Sequence, residues 1–285
     1  MSIDHEAEYN NRIRIDDYAA IVARWRSVSA ADRGAARSGR ADLTELDRPY
    51  GSGERQRYDL YRAGAPGAPL LVYIHGGYWQ LGSREDTAFV ARAFNAAGID
   101  IALPSYSLCP EVTVMQIIDE LRLCLAALWA ATGKRPIVAG HSAGGHLTAA
   151  MLATDWATMP SVPRDLVRAG CAISGVFELA PLLSTSLNLA ARLDPRAAVD
   201  ASPLWWAPPP RGRVLVTAVG GDETAEFHRQ SRALAERWAR AGVQTEYLAI
   251  AGTNHFTIVD ELTRPGSALF ARVAALAGRD RPATP

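Results

Sequence analysis

RPIVAGHSAGGHLTAAM, residues 135–151, is the stretch that decides the fold. Its apolar run at residues 137–139 predicts the end of a buried parallel strand. The next five residues, 140–144, form the pattern G-x-S-x-G, and the residues up to 151 predict a helix with an apolar inner face. A sharp turn between a strand and a helix lifts the central serine, Ser142, above the sheet. It also places the N–H of Ala143 where a developing negative charge is stabilised.

Composition and charge are those of an ordinary globular protein. Of the 285 residues, 48% are hydrophobic and 21% are charged. The 30 basic residues equal the 30 acidic ones, so the chain lacks the positive charge that favours binding to nucleic acid or to an anionic membrane surface. No stretch of the sequence has the length and hydrophobicity of a membrane span. We therefore expect a small-molecule substrate as the partner, and neither nucleic acid nor a membrane.

The cysteines and the first residues bear on the cellular location. Cys109, Cys124 and Cys171 are odd in number and widely spaced, which fits neither a disulfide framework nor a zinc site. Residues 1–9 are polar and acidic, whereas a secretory signal needs a basic start and an apolar run. We therefore expect a cytoplasmic protein. The sequence leaves the oligomeric state open, and a homodimer is compatible with it.

Predicted strands and helices alternate along most of the chain. Two short strands at 42–46 and 56–61 predict an antiparallel hairpin at a sheet edge. The further predicted strands lie at 70–74, 99–103, 137–139, 169–174, 214–219 and 245–250, and the helices at 86–97, 114–131, 143–151, 224–241 and 267–276. Strands separated by helices of this length imply a mostly parallel central sheet with helices on both faces. We predict a single α/β domain over residues 1–285.

Two segments depart from this alternation. Residues 1–40 form an N-terminal arm in which Asp16 can begin a helix that packs onto the main body, followed by an exposed connection at 29–40. Residues 176–212 contain short helical pieces and turns in place of one crossover helix. An insertion of this length is usually a lid or a binding loop, so we predict a cap segment there.

A serine hydroxyl needs a base, and the base needs a carboxylate that orients it. When a serine lies in such a turn of an α/β-hydrolase, the acid and then the histidine follow it along the chain. His255 comes after the strand at 245–250 and would lie on the same edge of the sheet as Ser142, whereas His228 lies inside a helical pattern. The loop after the strand at 214–219 offers Asp222 and Glu223, and spacing alone does not separate them.

A second loop supplies candidate donors for the oxyanion. His75–Trp79 follows the strand at 70–74, and its glycines allow the main chain to approach a substrate. We predict that the oxyanion hole is formed by backbone N–H groups of Gly76, Gly77, Tyr78 and Ala143. The aromatic residues predicted to contact the substrate are Tyr78, Trp79, Trp205 and Trp206.

From about residue 8 to residue 262 the chain resembles the kynurenine formamidase (arylformamidase) branch of the α/β-hydrolases, which is close to the hormone-sensitive-lipase group of esterases. The marks of this resemblance are Glu8–Arg12, His75–Trp79, Gly140–His146, Glu226–Ser231 and Asn254–Phe256. In the second of these segments lipase relatives have a third glycine, and formamidases have an aromatic pair that ends in tryptophan.

The resemblance implies hydrolysis of N-formyl aryl amines such as N-formylkynurenine, a step of tryptophan catabolism, through a formyl-enzyme on Ser142. It implies no metal or organic cofactor. In that family the acid lies three residues before the Glu-Phe-x-Arg-Gln-Ser segment and three residues after a glycine, and both counts give Glu223. The family more often has aspartate there, and Asp222 is the alternative.

Two other functions use the same residues. A carboxylesterase or amidase that acts on small aryl or alkyl acyl compounds would need the same serine, base and oxyanion hole, because specificity depends on the pocket. A relative that only binds a ligand would show no hydrolysis of p-nitrophenyl acetate. Since Ser142, Glu223 and His255 are all present, we expect an enzyme.

Overall fold

The computed structural model describes residues 3–39 and 43–278. Its strands are β1 Thr44–Pro49, β2 Arg57–Tyr61, β3 Leu70–Ile74, β4 Asp100–Pro104, β5 Pro136–His141, β6 Ala169–Ile173, β7 Val214–Gly220 and β8 Gln244–Ile250. They form one sheet in the order β1-β2-β4-β3-β5-β6-β7-β8. The β1–β2 and β2–β4 pairs are antiparallel, and every other pair is parallel. The predicted fold class, including the antiparallel hairpin at one edge, is confirmed.

The helices connect these strands and cover both faces of the sheet. They are α1 His5–Tyr9, α2 Asn11–Arg14, α3 Tyr18–Gly39, α4 Ala91–Ala96, α5 Val114–Thr132, α6 Ala143–Ala153, α7 Asn188–Ala191, α8 Pro195–Asp200, α9 Ala225–Arg240, α10 Thr257–Asp260 and α11 Ala268–Gly278. Short 3₁₀ helices lie at Glu85–Val90, Trp156–Thr158, Ala180–Ser184, Pro203–Trp205 and Glu261–Thr263. Within the two described ranges, no helix is long and apolar enough to cross a membrane.

The core consists of two apolar layers, one on each side of the sheet. Every residue of β3 is buried, because successive side chains of a strand point to opposite faces and both faces are covered. Val72 belongs to the layer that contains Leu121 of α5, and Leu71 belongs to the layer that contains Phe94 of α4. The sheet is therefore packed against apolar side chains on both of its faces.

The N-terminal arm departs from the sequence prediction in its second half. We predicted an exposed connection at 29–40, and this is wrong for residues 29–39, because helix α3 continues to Gly39. Ser29 is buried, and its hydroxyl donates to the carbonyl of Asp86 at 2.9 Å and accepts from the N–H of Phe89 at 3.1 Å. These bonds fix the helix on the Glu85–Val90 segment. The predicted ends at residues 40 and 42 lie outside the described residues.

The segment between β6 and β7 contains α7, α8 and two of the short 3₁₀ helices. It is attached to the arm, because the N–H and hydroxyl of Ser186 both donate to the carboxylate of Glu6, at 2.7 and 2.6 Å. A backbone bond of 3.0 Å from Leu204 to Phe177 closes the segment on itself. Its assignment as a cap at 176–212 stays a prediction.

Candidate active site

Ser142 lies in a strained turn between β5 and α6. Its φ of 58° and ψ of −117° are uncommon for a residue with a side chain. The turn is held by a 2.8 Å bond from the N–H of Ser142 to the carbonyl of Ile173 in β6. A Cβ at Gly144 would lie 2.0 Å from the carbonyl oxygen of Ile74, so only glycine fits there. The spacing of the glycines around Ser142 thus has a steric cause.

Glu223 and His255 meet at the same edge of the sheet, after β7 and β8. The Nδ1 of His255 lies 2.6 Å from the Oε2 of Glu223, and both side chains are buried. The other carboxylate oxygen of Glu223 accepts from the hydroxyl of Ser174 at 2.5 Å and from the N–H of Gly220 at 2.7 Å. Asp222 is exposed to solvent. The geometry therefore joins Glu223, and not Asp222, to the histidine.

His141 holds the His255 loop against the turn that carries Ser142. The Nε2–H of His141 donates to the carbonyl of His255 at 2.6 Å. Burial, and then the nearby His255, lowers the pKa of His141 well below its usual value, so this ring is neutral. The ring of His255 packs on Phe227 at 4.6 Å and on His141 at 4.7 Å between centroids. The orientation of His255 is thus fixed by the carboxylate of Glu223, by the bond from His141 to its carbonyl, and by the rings that pack against it.

The loop after β3 brings free backbone donors to the same place. Within the described residues, the N–H groups of Gly77, Tyr78 and Ala143 donate to no oxygen. The loop is held by the ring of His75, whose Nδ1–H donates to the carbonyl of Gly76 at 2.8 Å. Burial lowers the pKa of His75 to about 4, so it is neutral near pH 7. An oxyanion hole requires backbone N–H groups that lie beside the serine and have no other hydrogen-bond acceptor.

We expect Gly76→Ala to impair catalysis selectively. An added Cβ would lie 2.8 Å from the carbonyl oxygen of His141 and 3.1 Å from the Cβ of Ser142, so the loop must move away from the serine. Loss of one oxyanion donor elsewhere costs about 10²–10³ in kcat, and we expect a loss in that range with a smaller change in KM.

The matched control is Gly34→Ala in α3, where nothing lies within 4 Å of an added Cβ. This variant should retain full activity on p-nitrophenyl acetate and gain about 0.4–1 kcal/mol of stability, since alanine favours the helix. Equal kcat values for Gly76→Ala and Gly34→Ala would argue against a role for the loop in catalysis.

One cavity is lined by Ser142, His255 and Tyr78. The other three aromatic residues predicted to contact the substrate, Trp79, Trp205 and Trp206, do not line it. Trp79 is fully buried and packs edge-on against His146 at 5.0 Å. Trp205 is 51% exposed and lies beneath the guanidinium of Arg237. The indole N–H of Trp206 donates to the carbonyl of Asp200 at 2.8 Å, within the inserted segment. The aromatic residues that line the cavity besides Tyr78 are Tyr18, Trp25, Tyr73, Phe89 and Phe256.

Several residues of the site were missed by sequence reasoning. Ser174 directly follows β6, and its place at the carboxyl end of a strand was the available signal. His141 lies inside the G-x-S-x-G pattern itself. Asn11 and Arg12 line the cavity from α2, and they belong to the Glu8–Arg12 segment that carries part of the family resemblance. Their role could not be predicted, because the arm is more than a hundred residues before Ser142 and no motif spacing connects the two.

The sequence profile of the alpha/beta hydrolase fold matches residues 71–259, more than half of the chain. The chain belongs to this family. Among proteins similar to this α/β-hydrolase is the kynurenine formamidase of Danio rerio, 28% identical over 243 residues, which cover 82% of each chain. A solved structure from Silicibacter sp. TM1040, described as a candidate thioesterase, shares 29% identity with a TM-score of 0.84 and covers 95% of this chain and 99% of that one.

An esterase of the bacterial hormone-sensitive lipase family has the same fold. It is 21% identical, with a TM-score of 0.67, and the alignment covers 92% of this chain and 99% of that one. The resemblance to kynurenine formamidases and to this esterase group is therefore confirmed. With this fold and these relatives, the α/β-hydrolase described here is a hydrolytic enzyme.

Proposed function

We propose that this enzyme hydrolyses N-formyl aryl amines such as N-formylkynurenine, with Ser142 as nucleophile, His255 as base and Glu223 as the carboxylate that orients the base. The observation that carries the proposal is an aromatic cavity lined by both Ser142 and His255 in a chain with kynurenine formamidase relatives. The 2.6 Å contact between Glu223 and His255 supports the assignment of Glu223 as the residue that orients the base.

In the proposed reaction, the hydroxyl of Ser142 attacks the formyl carbon and gives its proton to His255. The oxyanion of the tetrahedral intermediate accepts hydrogen bonds from the N–H groups of the Gly76–Tyr78 loop and of Ala143. The C–N bond then breaks, and His255 returns the proton to the departing amine. Water adds to the formyl-enzyme with His255 again as base, and formate leaves as the serine is reprotonated.

Aromatic surface from the arm, from the Glu85–Val90 helix and from the loop before α10 favours an aryl leaving group. Trp25 of α3 stacks on Phe89 with ring centroids 5.5 Å apart and an angle of 15°. Phe256 packs against Trp25 at 6.3 Å and against Tyr18 at 4.7 Å. These rings line the cavity together with Ser142, in place of the tryptophans expected from the sequence. Flat apolar walls of this kind bind planar rings.

We expect an aryl formamide to be preferred over an alkyl formamide of similar reactivity. Burial of a ring at ~25 cal/mol per Å² contributes at most a few kcal/mol, so the ratio of kcat/KM should be roughly 10 to 1,000. The measurement is kcat/KM for N-formylkynurenine, for an alkyl formamide of similar reactivity, and for phenyl and p-nitrophenyl esters from formyl to butyryl. A formamidase should lose kcat/KM as the acyl group lengthens.

The second candidate is a carboxylesterase or amidase of small aryl or alkyl acyl compounds, since curated esterases also match part of the chain. Much faster turnover of butyryl esters than of N-formylkynurenine would favour this function and contradict the formamidase proposal. No hydrolysis of p-nitrophenyl acetate or of any formamide would instead favour a protein that only binds its ligand.

A further inference from the structure

Two polar side chains of α2 line the cavity of Ser142 without a partner of their own. The Nδ2 of Asn11 and the Nη2 of Arg12 are inaccessible to solvent and form no hydrogen bond with any described residue. Asn11 as a whole is 3% exposed. The acid that lines the same cavity, Asp86, is paired with Arg26 at 3.0 Å. Within the described ranges, Arg12 thus has no carboxylate to neutralise it.

Such groups are costly unless something else binds them. Burial of a polar group without a hydrogen bond is unfavourable, and this applies to the amide of Asn11 and to the one inaccessible nitrogen of the partly exposed Arg12 guanidinium. Nearly all buried polar groups in folded proteins have a partner, so two adjacent exceptions in a cavity call for an explanation. A ligand with acceptor oxygens would satisfy both donors at once.

Contacts of the arm fix the backbone that leads into α2, the helix that carries the two donors. The hydroxyl of Tyr78 donates to the carbonyl of Tyr9 at 2.5 Å, and the hydroxyl of Tyr9 donates to Glu226 at 2.6 Å. Burial, and then the bond to Glu226, raises the pKa of Tyr9, so its phenol stays protonated. The hydroxyl of Thr224 donates to the carbonyl of Glu8 at 2.8 Å. Because α2 begins two residues after Tyr9, these bonds place its backbone at the cavity, where the side chains of Asn11 and Arg12 can turn toward a ligand.

We propose that Arg12 and Asn11 form a subsite for a carboxylate carried by the substrate, away from the bond that Ser142 cleaves. A guanidinium presents parallel N–H groups that match the two oxygens of a carboxylate, and the amide of Asn11 adds a further donor. One unpaired cation suits a singly charged group better than a phosphate dianion, since the charge of Arg26 is already taken by Asp86. The proposal rests on the proposed function in that the same molecule reacts at Ser142.

The test compares N-formylkynurenine with its carboxamide, which keeps the ring and the ammonium group and loses only the negative charge. Arg12→Gln should lower kcat/KM for N-formylkynurenine by about 10- to 100-fold, mainly through KM, because a hydrogen bond to a charged group is lost. It should change kcat/KM for the carboxamide by less than about twofold. Arg12→Lys should lie between wild type and Arg12→Gln, since lysine keeps the charge without the planar fork.

Two further variants make the comparison specific. Asn11→Ala should cause a smaller selective loss of about three- to tenfold, and it gives an independent reading if Arg12→Gln does not fold. Arg14→Gln is the matched control, because Arg14 lies in the same helix, is exposed and does not line the cavity. Equal losses for both substrates in Arg12→Gln and Asn11→Ala would overturn the subsite.

A second measurement separates this proposal from the proposed function. Kynurenine and its carboxamide are compared as competitive inhibitors of p-nitrophenyl acetate hydrolysis. If N-formylkynurenine is not hydrolysed, the formamidase proposal fails, yet the subsite is supported when kynurenine inhibits better than its carboxamide and Arg12→Gln removes the difference. If the two compounds inhibit wild type equally, the subsite is overturned whatever the result with the formamide.

Discussion

Ser142→Ala is expected to lower kcat by about 10³–10⁶-fold for N-formylkynurenine and for p-nitrophenyl acetate, while the fold remains intact. Without the hydroxyl no acyl-enzyme forms, and only the donors of the oxyanion hole and the binding of substrate remain. Alanine fits the turn as serine does, because the strain at φ 58° depends on the presence of a Cβ and not on the hydroxyl. Single-turnover kinetics and a thermal unfolding curve measure the two effects.

A serine-directed organophosphate identifies the nucleophile directly, because it forms a covalent adduct with that serine. Mass spectrometry should find the adduct on Ser142 alone. Ser231 is the matched control, because it is fully buried in α9 and its Oγ has no partner among the described residues. Ser231→Ala should keep kcat within about twofold of wild type. An adduct on another serine, or full activity in Ser142→Ala, would exclude the proposed mechanism.

Glu223→Gln should lower kcat by about 10²–10⁴-fold. The amide is isosteric with the carboxylate, but it cannot provide the negative charge beside Nδ1 that stabilises the imidazolium formed during catalysis. It also disturbs the acceptor that Ser174 and Gly220 bind, so the histidine loses both its tautomer and its orientation. The loss should appear in kcat for formamide and ester alike, because it concerns proton transfer and not the substrate pocket.

The adjacent acid provides the comparison for this variant. Asp222→Asn should change kcat by less than about threefold, since Asp222 is exposed and Glu223 occupies the contact with His255. The same assay on both purified variants decides between them. A large loss in Asp222→Asn with an active Glu223→Gln would move the orienting role to Asp222.

Most of the sheet could be predicted from the sequence, because buried parallel strands require apolar runs and these are visible without a structure. Leu70–Ile74 was predicted at its observed bounds. The helix at 29–39 could not be predicted in this way. Alanine and arginine there favour a helix, but the small polar residues among them are equally typical of a loop. The bonds of Ser29 to the Glu85–Val90 segment stabilise the helix, and no sequence pattern shows them.

The candidate site also has a part that could be predicted from the sequence and a part that could not. Ser142, Glu223 and His255 follow strands of one sheet, so their neighbourhood can be inferred from strand order and family spacing. The cavity wall is different, because Trp25, Phe89 and their neighbours come from elements whose packing no motif records. Trp79 looked suited to substrate binding beside the glycines, yet its φ of 58° belongs to a turn that buries the ring in the core.

The docking of the arm has a consequence for how the enzyme is made. Tyr9 leaves the ribosome early, but its partner Glu226 is 217 residues later in the chain. Nascent chains fold from the N-terminus as they emerge, so the early strands and the turn at Ser142 can assemble while α1 and α2 still lack the surface on which they lie. The cavity around Ser142 is therefore closed late in biosynthesis. Ribosome-bound chains that stop short of α9 lack both this docking surface and His255, so we expect them to be catalytically silent even where the turn at Ser142 has formed.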